Sequence, residues 1–130
     1  MNLILLDSHV VIWAVENSRR IGEDARELLR SGAEVHVSTV SLLELTIKAM
    51  RGKITLPEQF VPRLVDEAGM TLLNLTPDHV EAVRDFPELS AHDPFDRTLV
   101  AQASQSGLRL LTADRVLLKL GRDFIVDATA

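Results

Sequence analysis

The sequence predicts an α/β protein with a central, mostly parallel sheet and helices on both of its faces. Short β-rich segments alternate with helical segments along the chain, which is the pattern of repeated β-α-β units. Hydrophobic residues make up 46% of the 130 residues and charged residues 25%, as in ordinary globular domains. No internal repeat or linker interrupts this pattern, and we therefore expect a single domain over residues 1–130.

Five short segments rich in aliphatic or β-branched residues predict the strands. The first contains an unbroken apolar run, Leu3-Ile4-Leu5-Leu6, and the second alternates polar and apolar residues. We expect the last strand to lie at an edge of the sheet. The predicted strands cover residues 2–6, 34–38, 71–75, 108–111 and 124–127.

Helical spacing and helix-end signals predict the segments between the strands. Ala25, Leu28 and Leu29 recur at helical spacing, and Gly32 follows them, as glycine commonly does past a helix end. Pro57 stands near another predicted helix start, where its missing N–H costs little. The predicted helices cover residues 8–16, 23–30, 41–50, 56–68, 76–84, 93–105 and 115–120.

Composition and charge exclude several classes of protein. The apolar runs are far shorter than the ~20 residues needed to cross a bilayer, and the N-terminus lacks the basic region of a signal peptide. The absence of cysteine excludes disulfides, thiolate catalysis and Cys-type zinc sites, and it suits a reducing cytoplasm. A net charge of −5 disfavours nucleic-acid binding through bulk positive charge. It does not exclude a nuclease, because bound metal ions would supply positive charge locally.

Four carboxylates fall where the predicted fold would bring them to one edge of the sheet. Asp7 follows the first strand and Asp114 the fourth, while Glu44 and Asp96 lie in the first turns of predicted helices. Ligands of parallel sheets bind beyond the carboxyl ends of the strands. Acids held close together raise each other's pKa, and a divalent cation relieves their repulsion. Oxygen donors without cysteine or HExxH spacing favour Mg²⁺ or Mn²⁺ over zinc.

Each of these acids also has a purely structural explanation. Ser41 and Glu44 match a capping box, and Glu44 precedes Lys48 by four residues, a favourable spacing for a helix ion pair. Asp7 and Asp114 each precede a helix start and could be N-caps. Capping alone, however, does not require acids to gather at one end of one sheet.

The segment before the sixth predicted helix carries the same ambiguity. Asp93 and Pro94 fit the N-cap and first position of the helix, and Asp96 then lies where the helix dipole favours an acid. His92 in this segment and His9 beside the first strand are close to acids in the sequence. Contact of either histidine with substrate or metal stays open at this point.

Two hydroxyl residues flank candidate acids. Ser8 follows Asp7, and Thr112 precedes Asp114 by two residues. Either hydroxyl could orient a carboxylate or a metal-bound water, and the alternative is a local turn hydrogen bond.

Four short segments occur in an order and spacing that span nearly the whole chain. They read LLDSH from residue 5, VSLLE from residue 40, HDPFDR from residue 92 and LTAD from residue 111. With these segments the chain resembles the PIN-domain ribonucleases, particularly the VapC toxins of type II toxin–antitoxin pairs. The first segment carries Asp7-Ser8 where that family more often carries Asp-Thr, and the hydroxyl is retained.

The resemblance implies a fold, an activity and a set of site residues. It implies that Asp7, Glu44, Asp96 and Asp114 bind the metal and act in catalysis, with Asp114 varying in how directly it touches the ion. It implies a three-layer α/β/α sandwich, usually as a homodimer, and Mg²⁺- or Mn²⁺-dependent endonucleolytic cleavage of RNA in the cytoplasm. The implied partner is a small antitoxin that occupies the active-site groove.

Two other interpretations belong to different functional classes. The chain could be a catalytically silent binding module with the same fold, although such a module would not need all four acids. A receiver-type phosphoryl-transfer domain needs a late strand lysine that this chain does not place convincingly. Neither GxGxxG nor a P-loop is present, which excludes the usual nucleotide-binding motifs. Arg51, Lys53 and Arg97 are the first candidates for contacts with RNA.

Overall fold

A five-stranded sheet forms the centre of the protein in a computed structural model that describes residues 2–130. The strands are β1 (Leu3–Leu6), β2 (Glu34–Ser38), β3 (Thr71–Leu73), β4 (Arg109–Thr112) and β5 (Ile125–Asp127). Their order is β3-β2-β1-β4-β5, and every neighbouring pair runs parallel. All five predicted strands are therefore present, and β5 lies at an edge as expected.

Helices connect the strands and cover the sheet. They are α1 (Ser8–Val15), α2 (Glu23–Arg30), α3 (Thr39–Met50), α4 (Phe60–Pro62), α5 (Pro77–Ala82), α6 (Pro94–Ser106) and α7 (Arg115–Leu118). A π-helical turn (Arg63–Glu67) continues α4, and two 3₁₀ turns (Val83–Asp85 and Pro87–Leu89) lie between α5 and α6. Within residues 2–130, none of the helices combines the length and apolar character needed to cross a membrane.

Two hydrophobic cores lie on opposite faces of the sheet. Because successive side chains of a strand point to opposite faces, Ile4 and Leu6 of β1 enter one core and Leu5 enters the other. The first core includes Val11 of α1, and the second includes Leu99 of α6. Full burial of each of these side chains contributes roughly 1.5–3 kcal/mol. The helices on both faces of the sheet that the alternation predicts are confirmed, and so is the α/β/α sandwich that the resemblance implies.

The central position of β1 determines where the candidate acids meet. β1 pairs with β2 on one side and β4 on the other, and Leu6 lies opposite Leu111. The backbone N–H of Asp7 continues the pairing and donates to the carbonyl of Leu111 at 3.0 Å. The carboxyl ends of β1 and β4 therefore lie side by side, and the residues that follow them share one edge of the sheet.

The predicted start of the third helix was wrong by two residues. α3 begins at Thr39, directly after β2, because the Ser38 side chain caps it by accepting from the Val40 N–H at 3.0 Å. Ser41 is consequently inside the helix and buried. The capping box predicted for Ser41 and Glu44 does not exist.

The predicted start of the fourth helix at Leu56 was also wrong. Gln59 adopts a left-handed conformation with φ of 53°, so a regular helix cannot pass through it. Pro62 adds a second constraint, because a proline ring clashes with the carbonyl four residues earlier in a helix. The helix therefore begins at Phe60 and places Pro62 in its first turn.

Other predicted boundaries shift by a few residues. The first and last strands each begin one residue later than predicted, and β3 ends at Leu73 rather than Leu75. β4 moves one residue toward the C-terminus. The fifth predicted helix ends at Ala82 and continues as a 3₁₀ turn, and α7 ends at Leu118. These changes leave the predicted acids at the carboxyl edge of the sheet.

Candidate active site

All four predicted acids line one cavity of about 320 Å³ at the carboxyl edge of the sheet. Asp7 follows β1, Asp114 follows β4, Glu44 lies on α3 and Asp96 lies on α6. The structure thus brings together residues that are more than 100 positions apart in sequence. The other residues that line the cavity are Ser8, His9, Trp13, Lys48, Asp93 and Ala113.

Asp7 is held from two directions by hydrogen bonds. Its Oδ1 accepts from the Ser8 N–H at 2.7 Å, which makes Asp7 the N-cap of α1, and its Oδ2 accepts from the Thr112 hydroxyl at 2.6 Å. The residue is 7% exposed. Burial raises the pKa of Asp7 and so does the nearby charge of Glu44, although the two hydrogen bonds oppose the shift. The carboxylate that follows β1 is therefore fixed in orientation.

Glu44 is anchored by a hydroxyl and an ammonium group. Its Oε1 accepts from the Ser8 hydroxyl at 2.6 Å, and its Oε2 lies 2.8 Å from the Lys48 Nζ. The predicted ion pair along α3 is therefore present. Burial lowers the pKa of Lys48, but the hydrogen bond and charge of Glu44 outweigh that effect, and the pKa is raised. The Ser41 hydroxyl, 3.0 Å from that of Ser8, extends this buried polar group.

Asp96 has the most perturbed carboxyl group in the cavity. It lies in the first turn of α6, whose N-cap is Asp93, as predicted. Burial, followed by the charges of Asp7, Asp93, Asp114 and Glu44, raises the pKa of Asp96 to about 8. Burial and the neighbouring carboxylates therefore disfavour ionisation of Asp96, and an added cation would oppose that effect.

Asp114 has the opposite shift because its hydrogen bonds stabilise the charged form. Its Oδ1 accepts from two backbone N–H groups of α7, at 2.8 and 3.2 Å, so it is the N-cap of that helix. Burial works against the shift, but these bonds and the charge of His92 lower the pKa of Asp114. The backbone N–H of Asp114 donates to the Thr112 hydroxyl at 3.0 Å. Thr112 thereby connects Asp114 to Asp7.

The two histidines near the acids have different contacts. The His92 Nε2 lies 3.2 Å from the Asp96 Oδ2 and 3.3 Å from the Asp114 Oδ2. His9 instead contacts Lys48, with 3.3 Å between the His9 Nε2 and the Lys48 Nζ. His92 is therefore placed among the acids, whereas His9 lies beside the lysine at the cavity wall.

Comparison with protein families assigns the chain. The family model described as PIN domain matches residues 4–123. The chain belongs to the PIN-domain family. A curated relative, Ribonuclease VapC22 of Mycobacterium tuberculosis, is 30% identical over 118 residues, which cover 90% of this chain and 91% of that protein.

Solved structures share the fold of this PIN domain. VapBC2 from Rickettsia felis, bound to a DNA fragment from its promoter, aligns with a TM-score of 0.64 at 11% identity over 95% of this chain and 96% of that one. A toxin–antitoxin complex from Klebsiella pneumoniae gives 0.64 at 15% identity, over 96% and 97%. DNA-bound VapBC from Salmonella typhimurium gives 0.60 at 18% identity, over 98% and 96%. At these identities the likeness establishes the fold alone.

The side chains around the cavity of the PIN domain fit a divalent cation. Five carboxylates line the cavity against one lysine, so its surface carries an excess of negative charge. The donors are carboxylate oxygens with imidazole groups nearby, and the chain contains no cysteine. Such oxygen-rich donor sets suit Mg²⁺ and Mn²⁺. The group of His92, Asp96 and Asp114 offers three ligand atoms that all lie within 4.8 Å of one another.

Sequence reasoning missed a buried polar network whose members do not line the cavity. The Ser38 hydroxyl donates to the Gln102 Oε1 at 2.5 Å, and the Gln102 Nε2 lies 3.3 Å from the His79 Nδ1. His79 is 2% exposed, and its Nε2 lies 2.8 Å from the Ser106 hydroxyl. A signal was present, because Gln102 is a polar residue within the apolar face of α6.

Proposed function

We propose that this PIN domain is a metal-dependent endoribonuclease that acts as the toxin of a toxin–antitoxin pair. The observation that supports the proposal is the convergence of Asp7, Glu44, Asp96 and Asp114 on one cavity of a PIN-domain chain. The ribonuclease name of a relative that is 30% identical over nearly the full length supports RNA as the substrate. The reaction would be hydrolysis of a phosphodiester bond within an RNA chain.

The four acids would hold Mg²⁺ or Mn²⁺, and the neighbouring residues would keep the acids in place. When bound, such an ion supplies positive charge for the phosphodiester transition state and activates a water molecule. Thr112 orients Asp7 through its 2.6 Å hydrogen bond, and Ser8 does the same for Glu44. Both carboxylates are thus fixed before an ion or an RNA arrives, which lowers the cost of assembling the site.

Lys48 would bind the substrate at the cavity wall. Its ammonium group pairs with Glu44 and lines the cavity, and its side chain is 30% exposed. Lysine side chains attract the phosphates of nucleic acids. Because the whole chain carries a net charge of −5, such local cations and the bound ion must supply the attraction for RNA.

The proposed partner is a small antitoxin protein. Two of the similar solved structures are VapBC assemblies bound to DNA, and a third is described as a toxin–antitoxin complex. We propose that a cognate antitoxin occupies the active-site groove and that the nuclease is a cytoplasmic homodimer. That residues 1–130 form a single domain also stays a prediction.

An RNA cleavage assay with matched carboxylate variants tests the nuclease proposal. The protein, freed of any bound partner, is incubated with RNA and Mg²⁺ or Mn²⁺, and EDTA is then added. We expect cleavage to stop with EDTA and to fall at least about 100-fold in Asp96→Asn, since Asp96 would help to hold the ion, and losing stabilisation of developing charge typically costs 10²–10³ in rate. Circular dichroism checks that the variant is folded.

Asp127→Asn is the matched control for this assay. Asp127 also ends a strand at the carboxyl edge of the sheet, but it bonds to Thr129 and does not line the cavity. This variant should cleave RNA at the wild-type rate. Cleavage that persists in EDTA, or in a folded Asp96→Asn protein, would contradict the metal mechanism. Complete absence of cleavage in the wild type would favour the silent binding module.

A further inference from the structure

We infer that His92 is an additional ligand of the divalent ion and shifts the preference of the cavity toward transition-metal ions over Mg²⁺. The inference rests on the proposed metal site and adds a fifth side chain to the four acids. The His92 Nε2 lies 3.2 Å from one oxygen of Asp96 and 3.3 Å from one oxygen of Asp114. These three atoms form a compact group with every separation within 4.8 Å.

The backbone around His92 holds its ring against the acids. The His92 N–H donates to the carbonyl of Leu89 at 2.9 Å, and Leu89 itself is fully buried in the core on that side of the sheet. One residue later Asp93 caps α6, so His92 is fixed between a buried turn and a capped helix. Its side chain is 22% exposed. This placement brings the imidazole to Asp96 and Asp114 without a long flexible connection.

Imidazole changes which ions the group favours. Mg²⁺ is a hard ion that takes oxygen ligands and keeps several waters, so a nitrogen ligand adds little to its affinity. Affinity for a mixed nitrogen and oxygen site rises from Mn²⁺ to Co²⁺ among the first-row ions. A ligating His92 therefore strengthens binding of Co²⁺ most, Mn²⁺ less and Mg²⁺ least.

The alternative role for His92 is that of a counter-ion. A protonated imidazole between Asp96 and Asp114 would neutralise their charge in place of a metal ion. The same Nε2 cannot donate a proton to the carboxylates and coordinate a cation at once. The two roles consequently predict opposite results. Removing a ligand weakens metal binding, whereas removing a competing cation leaves it unchanged or tightens it.

Metal titrations of two histidine variants distinguish these roles. Calorimetric titrations with Mg²⁺, Mn²⁺ and Co²⁺ are run at about pH 8, above the usual pKa of histidine near 6.5. We expect His92→Ala to weaken Co²⁺ binding about 10-fold or more, Mn²⁺ binding less and Mg²⁺ binding by no more than about twofold. His9→Ala is the matched control, because His9 lines the same cavity but contacts Lys48. It should leave all three affinities within about twofold of wild type.

A second variant and an absorption spectrum distinguish the loss of a metal ligand from a folding defect. His92→Gln keeps a polar side chain of similar length and is expected to show the same order of losses. The visible absorption spectrum of the Co²⁺-loaded protein should change in both His92 variants and not in His9→Ala, because it reports on the ligands of the ion. Equal losses for all three ions, or unchanged or tighter binding in folded His92 variants, would overturn the inference.

The titrations also separate this inference from the proposed function. If the wild type binds Mn²⁺ and Asp7→Asn abolishes the binding while His92→Ala does not weaken it, the acid site stands and the role of His92 is rejected. If the wild type binds none of the three ions, both the metal site and the inference fail. None of these measurements requires RNA cleavage, so an inactive preparation does not affect them.

Discussion

Single carboxylates in this cavity serve as helix caps and as cavity-lining acids at the same time. Asp7 caps α1 with its Oδ1 and turns its Oδ2 to Thr112, and Asp114 caps α7 with its Oδ1 while its Oδ2 faces His92. A carboxylate has two oxygens, so capping by one leaves the other available. The capping and metal-binding explanations that the sequence left open are therefore compatible with each other.

The raised pKa of Asp96 predicts a pH-dependent cost to stability in the absence of metal. Its pKa is about 8 in the folded protein, against 3.8 for an unperturbed aspartate, so the folded state binds more protons between these values. Stability from this group is present at low pH and is lost as the pH rises toward 8. We expect Asp96→Asn, in EDTA, to melt at a higher temperature than the wild type at pH 8 and at a similar temperature near pH 4.

Thermal melts across this pH range check the prediction, and the difference between the two proteins is the informative quantity. Groups far from the cavity cancel in that difference, whereas Asp114 contributes to it, because its interaction with Asp96 is part of what lowers its pKa. A difference in melting temperature that stays constant from pH 4 to pH 8 would contradict the repulsion that we assign to Asp96.

At the scale of elements, the sequence predicted the strands and caps that depend on neighbouring residues. It missed the hydrogen bonds that depend on distant residues. The strands and the Asp93 cap follow from local composition and were confirmed. Ser41 and Glu44 matched a capping box just as well, but Ser38 caps the helix because β2 continues directly into α3. Glu44 keeps its predicted ion pair with Lys48, but its Oε1 accepts from Ser8, 36 positions away. Spacing along one segment contains no information about such a partner.

The buried Gln102 predicts a link between two helices that carry candidate acids. Gln102 belongs to α6, as Asp96 does, and it accepts from Ser38, the N-cap of α3, which carries Glu44. Gln102→Leu would leave the buried Ser38 hydroxyl without its acceptor, while His79 would keep its contacts with Thr76 and Ser106. We expect the free energy of unfolding to fall by about 1–3 kcal/mol, the usual cost of an unsatisfied buried polar group.

Urea denaturation of matched variants measures this effect. Ser104→Leu also introduces a leucine on α6 but at an exposed position, and it should change stability by less than about 0.5 kcal/mol. Equal effects of the two substitutions would show that Gln102 does not link the helices. If Gln102→Leu loses more RNA cleavage than its loss of folded protein explains, the link between the helices also helps to position the acids.

At the scale of the whole molecule, the order of the strands gathers the acids. The sequence predicts a mostly parallel sheet but not the order β3-β2-β1-β4-β5, which makes β1 and β4 neighbours and so joins Asp7 to Thr112. The order depends on which apolar faces pack together across the entire chain. It also concentrates five carboxylates of an already acidic protein around one cavity. The fold therefore holds five acidic side chains together, with Lys48 and His92 as the basic side chains in contact with them.

This arrangement predicts that divalent ions stabilise the fold as a whole. An ion that binds only the folded state at 100 times its dissociation constant adds about 2.7 kcal/mol to the free energy of unfolding. For a domain of this size the gain corresponds to several degrees of melting temperature. We expect Mg²⁺ to raise the melting temperature of the wild type and of Asp127→Asn equally, and to have little effect on Asp7→Asn, since Asp7 lines the cavity and Asp127 does not. Equal stabilisation of all three proteins would mean that the ion binds elsewhere on the acidic surface.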